Sequence, residues 1–329
     1  MKNCIILLAM LICCSINSKA QLQQADKRYT DSLNRILSGR FSDSLKTEAG
    51  FKLTDFWADR DSTKALQYLM SARNRSKNHP LLVARSYWYE ALVYQDRDHA
   101  KAERLLILTD SLLRKFNSKG VYRLRSIVWH NYSLIQQHKD NLPLTLDVLI
   151  NKVLPLSKKA GDKEFLGTEY VSIGTVFMNI GQYEKANPYL QQGLNALKDA
   201  SPDKYYLLVN VYLAISQNYY HLKNYGLTKK YLGLAKTILD KSAQVRTDYP
   251  MDWFWLDYYK STTRYFVATR QNKPALADAE KAIKLARDLN DNYTLQEVIF
   301  EKYRVFYDQK NFVKAKKTLL QIVDRPEIN

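Results

Sequence analysis

Apolar residues recur along this chain at the spacing of α-helices, not of strands. Tyr170, Ile173, Gly174 and Phe177 fall at i, i+3, i+4 and i+7, one face of a helix. Gly181 interrupts that run, and Tyr183, Ala186, Leu190 and Gly193 then mark a second apolar face. Two helices joined by a tight turn make an antiparallel hairpin. The order returns in Tyr212, Ile215, Ser216, Tyr219, Tyr225, Thr228, Leu232 and Ala235. It returns again in Tyr259, Thr262, Thr263, Phe266, Ala275, Ala279 and Ala282, and in Ile299, Tyr303, Phe306, Phe312, Ala315, Leu319 and Ile322. Looser copies lie upstream: Trp129, Tyr132, Ser133, Thr145 and Leu149; Ala102 with Leu106; Ala65 with Leu69 and Ala72.

The pattern predicts that second helices begin near Ser62, His99, Leu142, Tyr183, Tyr225, Asn272 and Phe312. One hairpin cannot bury its own apolar face, so successive copies must stack and share a core. The expected fold is all-α: an α-solenoid of about seven antiparallel helix pairs over residues 45–329, winding as a superhelix. A further helix over Leu22–Leu37 would form an N-terminal cap within residues 21–44, and Ser42–Lys46 would start the first pair. Small residues have a steric role here. Gly174 and Ala186 fall where the two helices of a hairpin come closest, and a bulky side chain would hold them apart.

The order large, large, small, large, turn, aromatic, small, large, small resembles a tetratricopeptide repeat. The family period is about 34 residues. Here the steps run from 37 residues (Ser62 to His99) to 47 (Tyr225 to Asn272), so helices or joints are longer than the consensus. The proline that usually ends each unit is missing, and Pro80, Pro202 and Pro250 mark some boundaries instead. A HEAT-type hairpin array is the alternative on period alone; alanine at the start of the second helices favours the tetratricopeptide reading.

The resemblance implies a groove lined by the first helix of each pair. Carried across, its groove positions are Tyr87, Tyr94 and Gln95; His130, Gln137 and His138; Val171, Thr175 and Asn179; Asn210, Gln217, Tyr220 and His221; then Lys260, Arg264, Arg304 and Tyr307. Amides and tyrosines suit an extended peptide, which needs hydrogen bonds and apolar shelves, and basic residues gather toward the C-terminal end. The Lys/Asn set with which some relatives grip a terminal carboxylate is missing from the units containing Val171 and Leu213.

Composition adds a compartment. The first 20 residues carry a basic start, an apolar run from Cys4 to Ile16 and Ser18-Lys19-Ala20, the signature of a secretory signal peptide. Export to the periplasm is expected, with a lipid-anchored envelope protein as the lesser alternative. All three cysteines, Cys4, Cys13 and Cys14, lie in that segment. A chain cleaved there has no disulfide, thiolate-metal site or cysteine nucleophile. Among 329 residues, 10 Gly and 8 Pro are few, which suits long helices with short joints. Removing Lys2 and Lys19 with the signal takes the net charge from +17 to +15. An exported basic protein meets acidic proteins, anionic glycans or a membrane surface, not nucleic acid.

Motifs of catalysis are missing. The histidines His79, His99, His130, His138 and His221 form no HExxH pair or other close metal-ligand spacing. There is no phosphate loop, dinucleotide fingerprint or GxSxG. Asp59 with Asp61, and Asp288 with Asp291, read as helix caps or solvated charges. Most of the 24 Tyr, 11 Phe and 5 Trp fall on core positions, and the run Asp252-Trp253-Phe254-Trp255 is expected to staple a joint.

The expected function is that of an exported, non-catalytic scaffold that binds a protein or peptide and uses no cofactor or metal. Two alternatives come from other classes. Secreted arrays resembling this one form the sensor half of membrane-anchored bacterial regulators, and the basic excess would suit an anionic glycan.

Overall fold

The computed structural model describes residues 26–245 and 250–323, which are helical with no strand among them. The predicted signal peptide, its cysteines, residues 21–25 of the expected cap and the last six residues lie outside the described part. Two compact units divide the chain after Asp140. The first holds α1 (residues 26–38), α2 (Asp43–Ala58), α3 (Ser62–Ser76), α4 (Pro80–Tyr94), α5 (His99–Leu113) and α6 (Lys119–His138). The second holds α7 (Leu142–Val148), a π-helical turn (Leu149–Val153), α8 (Leu154–Ala160), α9 (Lys163–Asn179) and α10 (Tyr183–Leu197). It continues with α11 (Tyr205–His221), α12 (Tyr225–Ser242), α13 (Asp252–Ala268), α14 (Asn272–Asp288), α15 (Asn292–Asp308) and α16 (Phe312–Val323). Among the described helices, none is long and apolar enough to cross a membrane.

Every second helix begins at the residue the pattern predicts, from Ser62 of α3 to Phe312 of α16. Close packing within a pair joins α2 to α3 and α4 to α5 in the first unit. In the second it joins α9 to α10, α11 to α12, α13 to α14 and α15 to α16. The boundary between units falls inside the third predicted pair, leaving α6 in one unit and α7 and α8 in the other.

Short polar side chains start these helices by accepting from backbone N–H groups that have no helical partner. Ser42, Asp61, Asp98, Ser118, Asn141, Asp162, Asn224 and Asp291 all do so. Of the acidic pairs read as caps or solvated charges, Asp61 and Asp291 are N-caps. Tight turns between paired helices in the second unit place Gly181, Lys223, Arg270 and Lys310 in the left-handed region. Each is followed by a six-residue return such as Asn224 N–H to Tyr219 O at 2.9 Å. Only Gly181 adopts that conformation without a side-chain penalty.

The small residues are where the chain has least room. Ala65, Ala102, Thr145, Ala186, Thr228, Ala275 and Ala315 start the seven second helices and are each no more than 2% exposed. Tightest is α9 against α10. A Cβ on Gly174 would lie 2.6 Å from Leu190 Cδ2, and one on Gly167 would lie 2.6 Å from Leu197 Cγ.

The looser fit of the third pair has a local cause. The π turn absorbs one extra residue, so Val153 is fully buried where the frame would place Lys152, which is exposed. Pro155 follows and has no N–H to return to the Asn151 carbonyl. The aromatic run at the start of α13 divides: Phe254 and Trp255 pack on the α11–α12 core, as expected of a staple, while Trp253 is exposed. On α16, Phe312, Val313 and Leu320 are exposed beside Lys314, Lys316 and Lys317, so the helix is only partly polar.

One buried position breaks the chemistry of its column. Ile135, Val176, Tyr265 and Val305 occupy equivalent buried sites on first helices, but α11 carries Asn218, fully buried, with neither amide atom hydrogen-bonded. An unpaired buried amide costs on the order of 1–3 kcal/mol. Asn218→Val is therefore expected to stabilise the protein by about 1 kcal/mol, read as a higher guanidinium midpoint at unchanged slope; a lower midpoint would refute the assignment.

Candidate functional site

The first helices α11, α13 and α15 bring together five of the predicted groove residues. Helical spacing places Gln217, Tyr220 and His221 on the last turns of α11. Gln217 and Tyr220 share a shallow pocket with Ser216 and Thr228, and α13 closes it with Ser261 and Arg264. Arg264 then reaches α15, where its guanidinium meets Glu297 at 2.8 Å, and Arg304 holds Glu301 at 2.9 Å one turn on.

These two glutamates are what the sequence reading missed. The expected basic end of the groove is an alternating row of arginine and carboxylate. Glu297 and Glu301 stand at i and i+4 on α15, and Arg304 follows Glu301 at i+3, so part of the signal was present as helical charge spacing. Burial raises the Glu301 carboxyl above its ordinary range, with Arg304 and Arg264 opposing that shift. Tyr220 is likewise raised, first by burial and then by the Glu301 charge.

His221 lies flat on Tyr183, ring centroids 4.6 Å apart with planes inclined by 3°. Burial first, and then the nearby Arg264 cation, hold its imidazole below the ordinary value of 6.5. Both effects disfavour the protonated form, so the ring stays neutral until the pH falls below that value. Removing Arg264 removes the smaller effect. An NMR titration of Arg264→Leu should show the His221 pKa rising toward 6.5 without reaching it; no rise would place Arg264 elsewhere.

Other predicted residues take separate places. Asn179 at the end of α9 and Asn210 on α11 are exposed, and Asn210 stands two turns before Gln217. Lys260 pairs with Asp257 on its own helix at 2.8 Å, and Tyr307 packs edge-on against Phe312 at 5.6 Å. Val171 is buried and so belongs to the packing. In the first unit Tyr94 carries Lys101 over its ring at 3.7 Å, and Gln95 accepts from Asn131 of α6 at 3.0 Å. Gln137 is half-buried on α6, and His138 lies 6.1 Å from His99 between ring centroids. Among the described residues no group of three or more His, Cys, Asp or Glu could hold a metal ion.

No family model matches this chain, and no curated protein matches it. Solved structures do. A signal transduction ATPase with numerous domains from Pyrococcus horikoshii, which has a tetratricopeptide repeat sensor, aligns with a TM-score of 0.62 at 20% identity. That match covers 90% of this chain but 45% of the other, so the chain spans under half of that protein. Aspartyl phosphate phosphatase F from Bacillus subtilis aligns at 0.63 and 11% identity over 84% of this chain and 70% of that one. The apo quorum sensor NprR from B. thuringiensis aligns at 0.55 and 16% over 94% and 96%. With the helix pairs, their order and the small close-contact residues, these likenesses identify the fold as that of the tetratricopeptide repeat.

Proposed function

We propose that this chain is an exported, non-catalytic scaffold that binds a protein or peptide segment across the first helices of its second unit. The observation that carries the reading is the convergence of Gln217, Tyr220, His221, Arg264 and Arg304 on the first helices of three successive pairs. A bound segment would find amide and hydroxyl groups for its backbone and aromatic faces for its side chains. The alternating arginine–glutamate row suits a partner of mixed charge better than a polyanion, which would meet Glu297 and Glu301 as well. Export rests on the sequence of residues 1–20, and cleavage after Ala20 would give a mature chain starting at Gln21.

The test is affinity capture from a periplasmic extract with the mature protein. One protein should be retained, and Gln217→Ala with Tyr220→Ala should lose it while circular dichroism stays unchanged. Retention by the double variant would overturn the site. Intact-mass measurement of the exported product would check the cleavage point in the same material.

A sensor role is the second reading, favoured by two of the similar proteins, one described as having a repeat sensor and the other as a quorum sensor. Glycan binding makes a different prediction: retention on an anionic polymer that falls steeply with salt and ignores the double variant.

A further inference from the structure

We propose that the last pair, α15 and α16, is a second docking surface: the seat of an amphipathic helix from a partner protein, with carboxylates beside its apolar stripe. Tyr293, Phe300, Tyr303 and Tyr307 follow one another at i, i+7, i+10 and i+14, a single stripe along α15. Phe300, Tyr303, Tyr307 and Phe312 of α16 form a chain of rings, with successive centroids 5.6, 5.7 and 5.6 Å apart. Tyr293, Phe300, Tyr307 and Phe312 are each about half exposed or more, and Val313 and Leu320 of α16 are exposed as well.

The pair before it shows what such a face accepts. On α13 and α14, 40 residues earlier, Thr263 stands for Tyr303, Val267 for Tyr307, Leu276 for Lys316 and Glu280 for Leu320. There a helix covers the face, and that helix is α15. Val267 and Val305 of α15 share a small core on which Leu276 packs, and Lys302 of α15 meets Glu280 at 2.6 Å. Thr263 and Val267 are buried. On the last pair the same four positions offer two aromatic rings, a cation and a leucine.

Charge selects the occupant. Among the described residues α16 carries Lys314, Lys316 and Lys317 and no acidic side chain. Lys316 and Lys317 make no ion pair with a described residue. A helix that covers Lys316 strips water from its ammonium unless it brings a carboxylate, the converse of Lys302 meeting Glu280 one pair earlier. A second copy set face to face would bring these lysines against its own. A membrane surface takes up side chains that project from the protein, whereas these rings lie against one another along the helix.

Fluorescence anisotropy on the mature protein would use labelled helical peptides of 17 residues, the length of α13 and of α15. One has leucine at i, i+3, i+4 and i+7 flanked by glutamate, a second has lysine for every glutamate, and a third scrambles the first. The glutamate peptide should bind at micromolar concentration, and the other two about tenfold or more weakly. Lys316→Glu should weaken the glutamate peptide about tenfold and strengthen the lysine peptide by a similar factor. Tyr307→Ser should weaken the glutamate peptide while circular dichroism stays unchanged. The proposal would be overturned by no binding at millimolar concentration, by equal binding of the scrambled peptide, or by unchanged affinities in Lys316→Glu. Three further results would reassign the face and so refute it as well. A dimer in sedimentation that Tyr307→Ser dissolves gives it to a second copy. Retention on phosphatidylglycerol vesicles that Tyr307→Ser abolishes gives it to a membrane. About tenfold tighter peptide binding by a chain ending at Val323 gives it to the protein's own last residues. None of these variants touches Gln217 or Tyr220, so this seat and the scaffold reading can fail separately.

Discussion

Valine in place of Gly174 is expected to destabilise the second unit by about 3 kcal/mol, the upper part of the range for overpacking a close-packed core. The reason is geometric. Helices α9 and α10 meet through glycines on both sides: Gly167 and Gly174 on one, Gly193 on the other. At Gly174 an added Cβ would meet Leu190 Cδ2 at 2.6 Å and Leu190 Cγ at 2.7 Å, with the Ala186 carbonyl oxygen at 3.4 Å behind. Leu190 is fully buried and cannot turn aside into solvent. The helices must separate, and the contacts that each makes with its other neighbours loosen. Chemical unfolding followed by circular dichroism would read the loss. Gly174→Val with Leu190→Ala should recover part of it, because the smaller partner vacates the space the valine needs. A single variant as stable as the parent would show that the helices can part at no cost, and the close-contact account of the repeat would fail.

Asp110→Ala should cost the first unit about 3 kcal/mol, as expected when a buried charge pair loses one member. Asp110 lies on α5 with 1% of its side chain exposed. One carboxylate oxygen accepts from Arg125 Nε of α6 at 2.7 Å, and the other accepts from Arg114 at 3.0 Å. The Arg125 side chain is 17% exposed, whereas Arg114 is 64% exposed. Truncating Asp110 strands the Arg125 cation in a poorly solvated place and unties α5 from α6. Arg114→Ala removes a partner that water can replace, so its effect should stay below about 1 kcal/mol. Asp110→Asn keeps the shape but not the charge and should fall between. Equal losses for Asp110→Ala and Arg114→Ala in guanidinium unfolding would refute the buried-pair reading.

Much of the fold was legible because stacking helical hairpins impose local rules. A small residue is needed where two helices touch, and an apolar residue one and two turns later. Those demands leave a trace at Ala186, Leu190 and Gly193, and again at Thr228, Leu232 and Ala235. In the third pair the trace blurred because an inserted residue, absorbed by the π turn, shifted the later positions by one. Asn218 was illegible for a different reason: it lies off the predicted apolar frame, and an isolated polar residue there reads as surface until the coordinates bury it.

The candidate site was legible as positions only. Gln217 and Tyr220 could be assigned to a first-helix face from their spacing. That Arg264 would be met by Glu297, 33 residues away, could not, since side-chain pairing between helices depends on their rotation and separation.

By itself, the sequence determined the helical hairpins, their starting residues and their order, because helix periodicity, capping and close-contact size are short-range properties of the chain. Only the tertiary structure decided that the chain divides after Asp140, that Phe300 and Tyr307 of α15 stay exposed, and that the arginines of α13 and α15 are matched by glutamates. Each of these depends on how the helices are set against one another, and many side-chain sequences with the same apolar periodicity would set them differently.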